Sequence, residues 1–193
     1  MISKKNILFL FIIVSIFQYL IPAYMIIQNE KILKYGKEYI LKVKLQKRNL
    51  PYKATYFKIN FEPDFFKVPD DFKFPKNNII YIKLKKQSDN IYSIFDFSVT
   101  KPHDKGVWIK SKIRYHSKNK LYFDLPCNKY YLNKKKIEIL KNAKGDFFSQ
   151  KYDNVTAVIK VLEDKAVIKG IYFNDLPIMK FIKQKQNKGK EIN

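Results

Sequence analysis

A chain of 193 residues with 46% hydrophobic and 16% aromatic side chains is too apolar to stay disordered and long enough for one domain of ordinary size. Its single cysteine, Cys127, excludes an intrachain disulfide framework and any multi-cysteine metal site, and the expected role is a small, half-buried residue. Basic residues outnumber acidic ones 39 to 17, for a net charge of +22, yet the only arginines are Arg48 and Arg114, so the bidentate recognition that prevails at phosphates and base edges is nearly missing. Specific nucleic-acid binding is therefore not expected, while a non-specific pull toward polyanions or an anionic membrane surface is.

The first predicted element is an uncharged apolar run over 6–27, preceded by Lys4 and Lys5. As a helix it reaches roughly 30 Å, the thickness of a bilayer's hydrocarbon core. Residues 1–28 are thus predicted to be a transmembrane anchor. The alternative is a cleaved secretory signal ending near Ile21-Pro22-Ala23, against which stand the length of the run and its continuation through Ile27. Lys4 and Lys5 favour a cytoplasmic amino end; Lys31, Lys34, Lys37 and Lys42 outnumber them on the other flank, but long domains translocate largely regardless of such charge. The expected topology is single-pass, with the body outside the cytoplasm, periplasmic or at the cell surface.

Residues 29–182 read as one β-rich domain dominated by period-two patterning. Leu41, Val43 and Leu45 alternate with polar residues, as do Phe57, Ile59 and Phe61, then Ile80, Ile82 and Leu84. Ile91, Ser93, Phe95, Phe97 and Val99 continue the series, followed by Ile109, Ser111, Ile113 and Tyr115, and by 121–125. Between them, 62–75 carries Pro63, Pro69 and Pro75 and reads as a long loop or a poor edge strand. Asn133 can cap a short helix over 133–144, striped by Ile137, Leu140 and Ala143 and stopped by Gly145. The stretches 155–162 and 166–173 flank a turn and predict a hairpin; the basic tail 183–193 has no apolar anchor and is expected to be disordered. The fold class expected is mainly β, an antiparallel sheet, sandwich or partly open barrel, with one short helix and an N-terminal transmembrane helix in front.

No constellation specifies a reaction. His103 with Asp104, and His116, lack metal-ligand spacing, and Asp64, Asp70 and Asp71 sit in a Pro/Asp loop beside Lys67 and Lys73, the usual composition of a solvated segment. Ser111-Lys112 evokes a Ser/Lys peptidase-like hydrolase, but neighbours on a strand face opposite sides, so the lysine of such a dyad would have to come from elsewhere. Tyr115, Tyr122, Tyr130 and Tyr131 suit either a binding platform or simple packing on a pleated surface. No catalytic residue, metal or cofactor is predicted.

The stretch Ala54-Thr55-Tyr56-Phe57-Lys58-Ile59-Asn60-Phe61 resembles the signature of the GDYXXLXY family of small bacterial membrane-anchored proteins. Tyr56 keeps the motif tyrosine, Ile59 and Phe61 stand in for its Leu and last Tyr, and Arg48-Asn49-Leu50-Pro51-Tyr52-Lys53 echoes its lead-in; Ala54 and Thr55 replace its Gly and Asp. Ile80-Tyr81-Ile82-Lys83-Leu84, Trp108-Ile109-Lys110-Ser111-Lys112-Ile113, Tyr130-Tyr131-Leu132 with Glu138, and 158–170 look like later segments of the family in the same order, so the likeness spans 30–178. The resemblance implies an anchored β-rich domain without a known activity, a companion of integral membrane proteins. With the tendency of loops to carry function, it points to Arg48, Lys53, Thr55 and Tyr56 as the contact with a partner. The expected function is a binding or assembly module; the alternatives are a membrane-tethered hydrolase and a non-specific polyanion or membrane-surface binder.

Overall fold

The computed structural model describes residues 4–49, 55–88, 90–131, 155–173, 175–180 and 184. It opens with α1 (Lys4–Tyr35), a 32-residue helix with Pro22 inside it. Over the apolar run its side chains are exposed on every side: Phe9, Phe11, Phe17, Tyr24 and Ile27 all face outward, and none of the apolar window is buried within the protein. Among the described residues it is the one helix long and apolar enough to cross a membrane.

The last turns of α1 behave differently. Ile32 is buried, and the helix end packs on a pair of strands, β9 (Val155–Leu162) and β10 (Lys165–Phe173). Gly36 alone separates α1 from β1 (Lys37–Asn49). Its N–H donates to the Ile32 carbonyl at 2.8 Å, and a Cβ there would stand 2.5 Å from that same oxygen and 3.1 Å from the Val161 oxygen. Both obstacles are main chain, so the junction is tight because the residue has no side chain.

The other strands are β2 (Thr55–Phe61), β3 (Phe65–Lys67), β4 (Ile79–Ser88), β5 (Ile91–Ser98), β6 (Val107–Ser117), β7 (Lys120–Asp124), β8 (Lys129–Tyr131) and β11 (Leu176–Pro177). They form one open sheet in the order β11-β10-β9-β1-β5-β4-β6-β7-β3, with β2 branching from β1 and β8 from β2. The 13-residue β1 makes the branch possible: Lys37 to Lys42 pair with β9, and Val43 to Asn49 pair with β2. The sheet is mixed rather than antiparallel throughout, because β1 and β5 run parallel at Ile40–Ile91 and Leu41–Tyr92. It also curls: Lys110 N–H in β6 donates to the Asp164 carbonyl at the tip of the β9–β10 hairpin at 2.7 Å. Elements far apart in strand order thereby meet around one core, in which Phe57, Leu41, Ile59, Ile80, Ile82, Ile109, Leu121 and Ile159 are fully buried.

Period-two patterning places most inward residues correctly and fails at two bulges. Opposite Lys83 lies Asp96 and opposite Leu84 lies Ile94, so Phe95 is an extra residue in β5. The inward positions become Tyr92, Ile94 and Phe97; Phe95, expected inside, is 55% exposed with the Lys85 ammonium 4.4 Å above its ring, and Val99 is exposed beyond the strand end. In β6 the extra residue is Arg114, between Ile113 opposite Phe123 and Tyr115 opposite Tyr122. A bulge reverses the side-chain phase. Tyr115 therefore turns outward and stacks on Tyr122 at 4.4 Å.

The segment 62–75 contributes β3, a three-residue strand on the outer flank of β7, the edge-strand form of its two readings. The hairpin over 155–173 forms as expected, closing through Glu163, which takes φ 57°, and Asp164. A short helical stretch begins at Ile178, which is buried. The helix expected over 133–144 and the tail expected from 183, apart from position 184, lie outside the described residues.

Candidate functional site

A cavity of about 740 Å³ opens at the junction of α1 with the sheet. Its origin is a mismatch in strand length. Pairing of β7 with β6 ends at Asp124 opposite Lys112, so the first half of β6 has no β7 beside it and reaches the tip of the β9–β10 hairpin through the Lys110–Asp164 bond. The gap is bounded by Gln28, Asn29 and Ile32 from α1, by Lys110 to Ile113 from β6, and by Asp164, Lys165 and Ala166 from the hairpin tip. Ile79, Asp124, Leu125, Pro126 and Asn128 complete it.

The lining has two characters. Ile32, Leu125 and Ala166 are buried and give an apolar floor, while Lys110, Lys112 and Lys165 are exposed at the rim. Lys165 Nζ lies 3.5 Å from Gln28 Oε1 and ties the hairpin tip to the helix. Two acids border the space, and one is already taken. The bulge at Arg114 brings its guanidinium onto both carboxylate oxygens of Asp124, with Nε donating to Oδ2 at 2.9 Å. Burial works to raise the Asp124 carboxyl, but the Arg114 bonds and charge, with Asn128 and Lys58, outweigh it and hold the group below its ordinary value.

Ser111 is buried on the floor side of β6, and its hydroxyl donates to the Ile109 carbonyl at 3.2 Å; Lys112 is exposed. Cys127 is buried more deeply than a half-buried position, and burial pushes its thiol up to about 12, far from the thiolate form that a nucleophile needs. His103 is exposed and His116 stacks on Phe74 at 4.2 Å; among the described residues no group of three or more His, Cys, Asp or Glu converges. Asp64, Asp70 and Asp71 are all exposed.

The residues expected to meet a partner lie on a different face. Arg48 and Tyr56 are register partners across β1 and β2, and Thr55 begins β2 opposite Asn49; Lys53 falls outside the described residues. Phe57 fills the core, so Tyr56 points to the outer face, half-buried. What flanks it there is β8: Tyr131 lies opposite with ring centroids 5.6 Å apart, and the Lys129 ammonium stands 5.7 Å from the Tyr56 ring. Tyr131 is 61% exposed. The sequence carries no local signal that joins Tyr131 and Lys129 to Tyr56, since the pairing of β8 with β2 joins segments some 70 positions apart.

Comparison with protein-family models, with curated proteins and with solved structures finds no match to this chain.

Proposed function

We propose that α1 anchors the chain in a bilayer as a single span, and that the β body is an extracytoplasmic binding or assembly partner of an integral membrane protein rather than an enzyme. The observation that carries the proposal is the exposure of apolar side chains around the whole circumference of α1 up to Ile27, together with the burial of Ile32 only a few residues later. A helix of that kind needs hydrocarbon around it. The tight junction at Gly36 then holds the body against the membrane surface with no flexible linker between them. The likeness to the GDYXXLXY family supports the same reading, and the partner contact is assigned to Tyr56, Tyr131 and Lys129, with Arg48 and Thr55 beside them in the β1–β2 register. A half-buried ring against an exposed one, beside a cation, is the kind of patch from which binding hot spots are built.

The test is membrane fractionation with a carbonate wash, followed by detergent solubilisation and capture through a C-terminal tag. The full chain is expected in the washed membrane, and wild-type protein released by carbonate overturns the anchor. Protease shaving of spheroplasts is expected to digest the body; protection reverses the topology. Tyr56→Ala is expected to abolish co-capture of the partner at unchanged thermal stability, and a large drop in stability with capture intact shows that the ring only packs.

A further inference from the structure

We infer that the cavity between α1 and β6 binds the phosphate headgroup of an anionic phospholipid taken from the bilayer. The inference rests on the anchoring reading above and adds a ligand to it. Gln28 and Asn29, which line the cavity, follow directly on Ile27, the last residue of the apolar run. If that run occupies the hydrocarbon, the cavity opens at headgroup height within one helical turn of the boundary.

The chemistry of the lining matches such a ligand in both of its parts. Ile32, Ile79, Leu125 and Ala166 offer apolar surface for the glycerol and first methylenes, and the exposed Lys110, Lys112 and Lys165, which line the same space, bring positive charge to its mouth for the phosphate. Lys110 and Lys112 form no ion pair among the described residues. Of the two bordering carboxylates, Asp124 is neutralised by Arg114, which leaves Asp164 against three lysines. The carboxyl end of a helix repels anions, but here the Ile32 carbonyl is already occupied by the Gly36 N–H, which blunts that term. A volume of about 740 Å³ lies within the range of sites that take small ligands, and lysines near a membrane each add to the hold on anionic lipid. Inorganic phosphate shares the charge but not the apolar part, so the lipid is the better fit.

The full chain, reconstituted in nanodiscs of phosphatidylcholine with graded phosphatidylglycerol and released into mild detergent, is examined by native mass spectrometry for retained lipid. Wild type is expected to keep phosphatidylglycerol about tenfold over phosphatidylcholine. The variant K110Q/K112Q/K165Q is expected to lose that preference, whereas K42Q/K67Q/K86Q, which removes the same charge elsewhere, keeps it. Equal loss in both variants overturns the site in favour of diffuse attraction, and so does equal retention of the two lipids by wild type, a readout that needs no variant to fold. Displacement of the lipid by millimolar inorganic phosphate marks the cavity as a soluble-anion site and overturns the lipid assignment. A chain that resists carbonate yet shows no lipid preference overturns this inference alone; release by carbonate overturns the anchor with it.

Discussion

α1 and the β body use the same isoleucine, leucine and phenylalanine side chains under opposite rules. Along α1 up to Ile27 they radiate in all directions, whereas in the body they fall on alternate positions and vanish into one core: Phe9 and Phe11 are two-thirds exposed and Phe57 not at all. The difference lies in what the pattern leaves polar. A strand with lysines on its other face can bury half its side chains and stay wet, while a helix without a polar face has no orientation that satisfies water. The two regimes meet within two turns, at Ile32, where the helix acquires a buried side and becomes part of the body.

The largest expected effect separates the two regimes. Val14→Lys with Ile16→Lys places two charges in the apolar run, each costing about 2.5–3.5 kcal/mol on insertion scales, so carbonate-resistant membrane protein is expected to disappear. The body's thermal unfolding is expected to stay the same, because neither residue touches it. A body destabilised by this pair means that the helix is a core element of the domain, and the comparison fails. Phe57→Ala is the converse. It is expected to cost about 3–5 kcal/mol by urea unfolding in detergent while leaving membrane retention intact, because Phe57 is fully buried in β2.

The boundary itself is tested by Gly36→Ala. The added methyl meets the Ile32 and Val161 carbonyl oxygens, both main chain, so helix and hairpin must separate. The expected loss is about 1–3 kcal/mol, with faster limited proteolysis near position 36. Unchanged stability shows that the end of α1 rests on the sheet without being held by it.

How much of this was legible follows from range. The anchor-like run, the hairpin around Glu163-Asp164 and the inward faces of β2, β4 and β7 are properties of consecutive residues, and the sequence displays them directly. The two bulges are not, because one extra residue in β5 or β6 shows only against the partner strand; strict alternation puts Phe95 and Tyr115 on the wrong face for that reason. The cavity was wholly hidden. It arises where β7 stops short of β6 and α1 covers the gap, so Gln28, Lys110, Lys112 and Lys165 share a site without any spacing that links them. Of the residues expected at the partner contact, Tyr56 and Arg48 do lie opposite each other, but the flanking ring and cation come from β8.

The smallest effect concerns the bulge in β6, where a phase error in the strand yields a specific ion pair. Arg114 grips Asp124 with two bonds, and both side chains are about one-third exposed, 30% and 32%, so the pair is screened and its contribution is about 1 kcal/mol. Because the Asp124 carboxyl is held below its ordinary 3.8 in the folded chain, its stabilisation is present above that value and is lost as pH falls through the folded one. Wild type is therefore expected to exceed Arg114→Gln in urea stability at pH 7, with the gap closing below pH 3.8. Glu38, whose carboxyl is also lowered, first by its hydrogen bond to Lys169, titrates in both proteins and cancels in the difference. A gap that stays constant down to the acid limit means that Arg114 stabilises by the packing of its stem against β7, not by its charge.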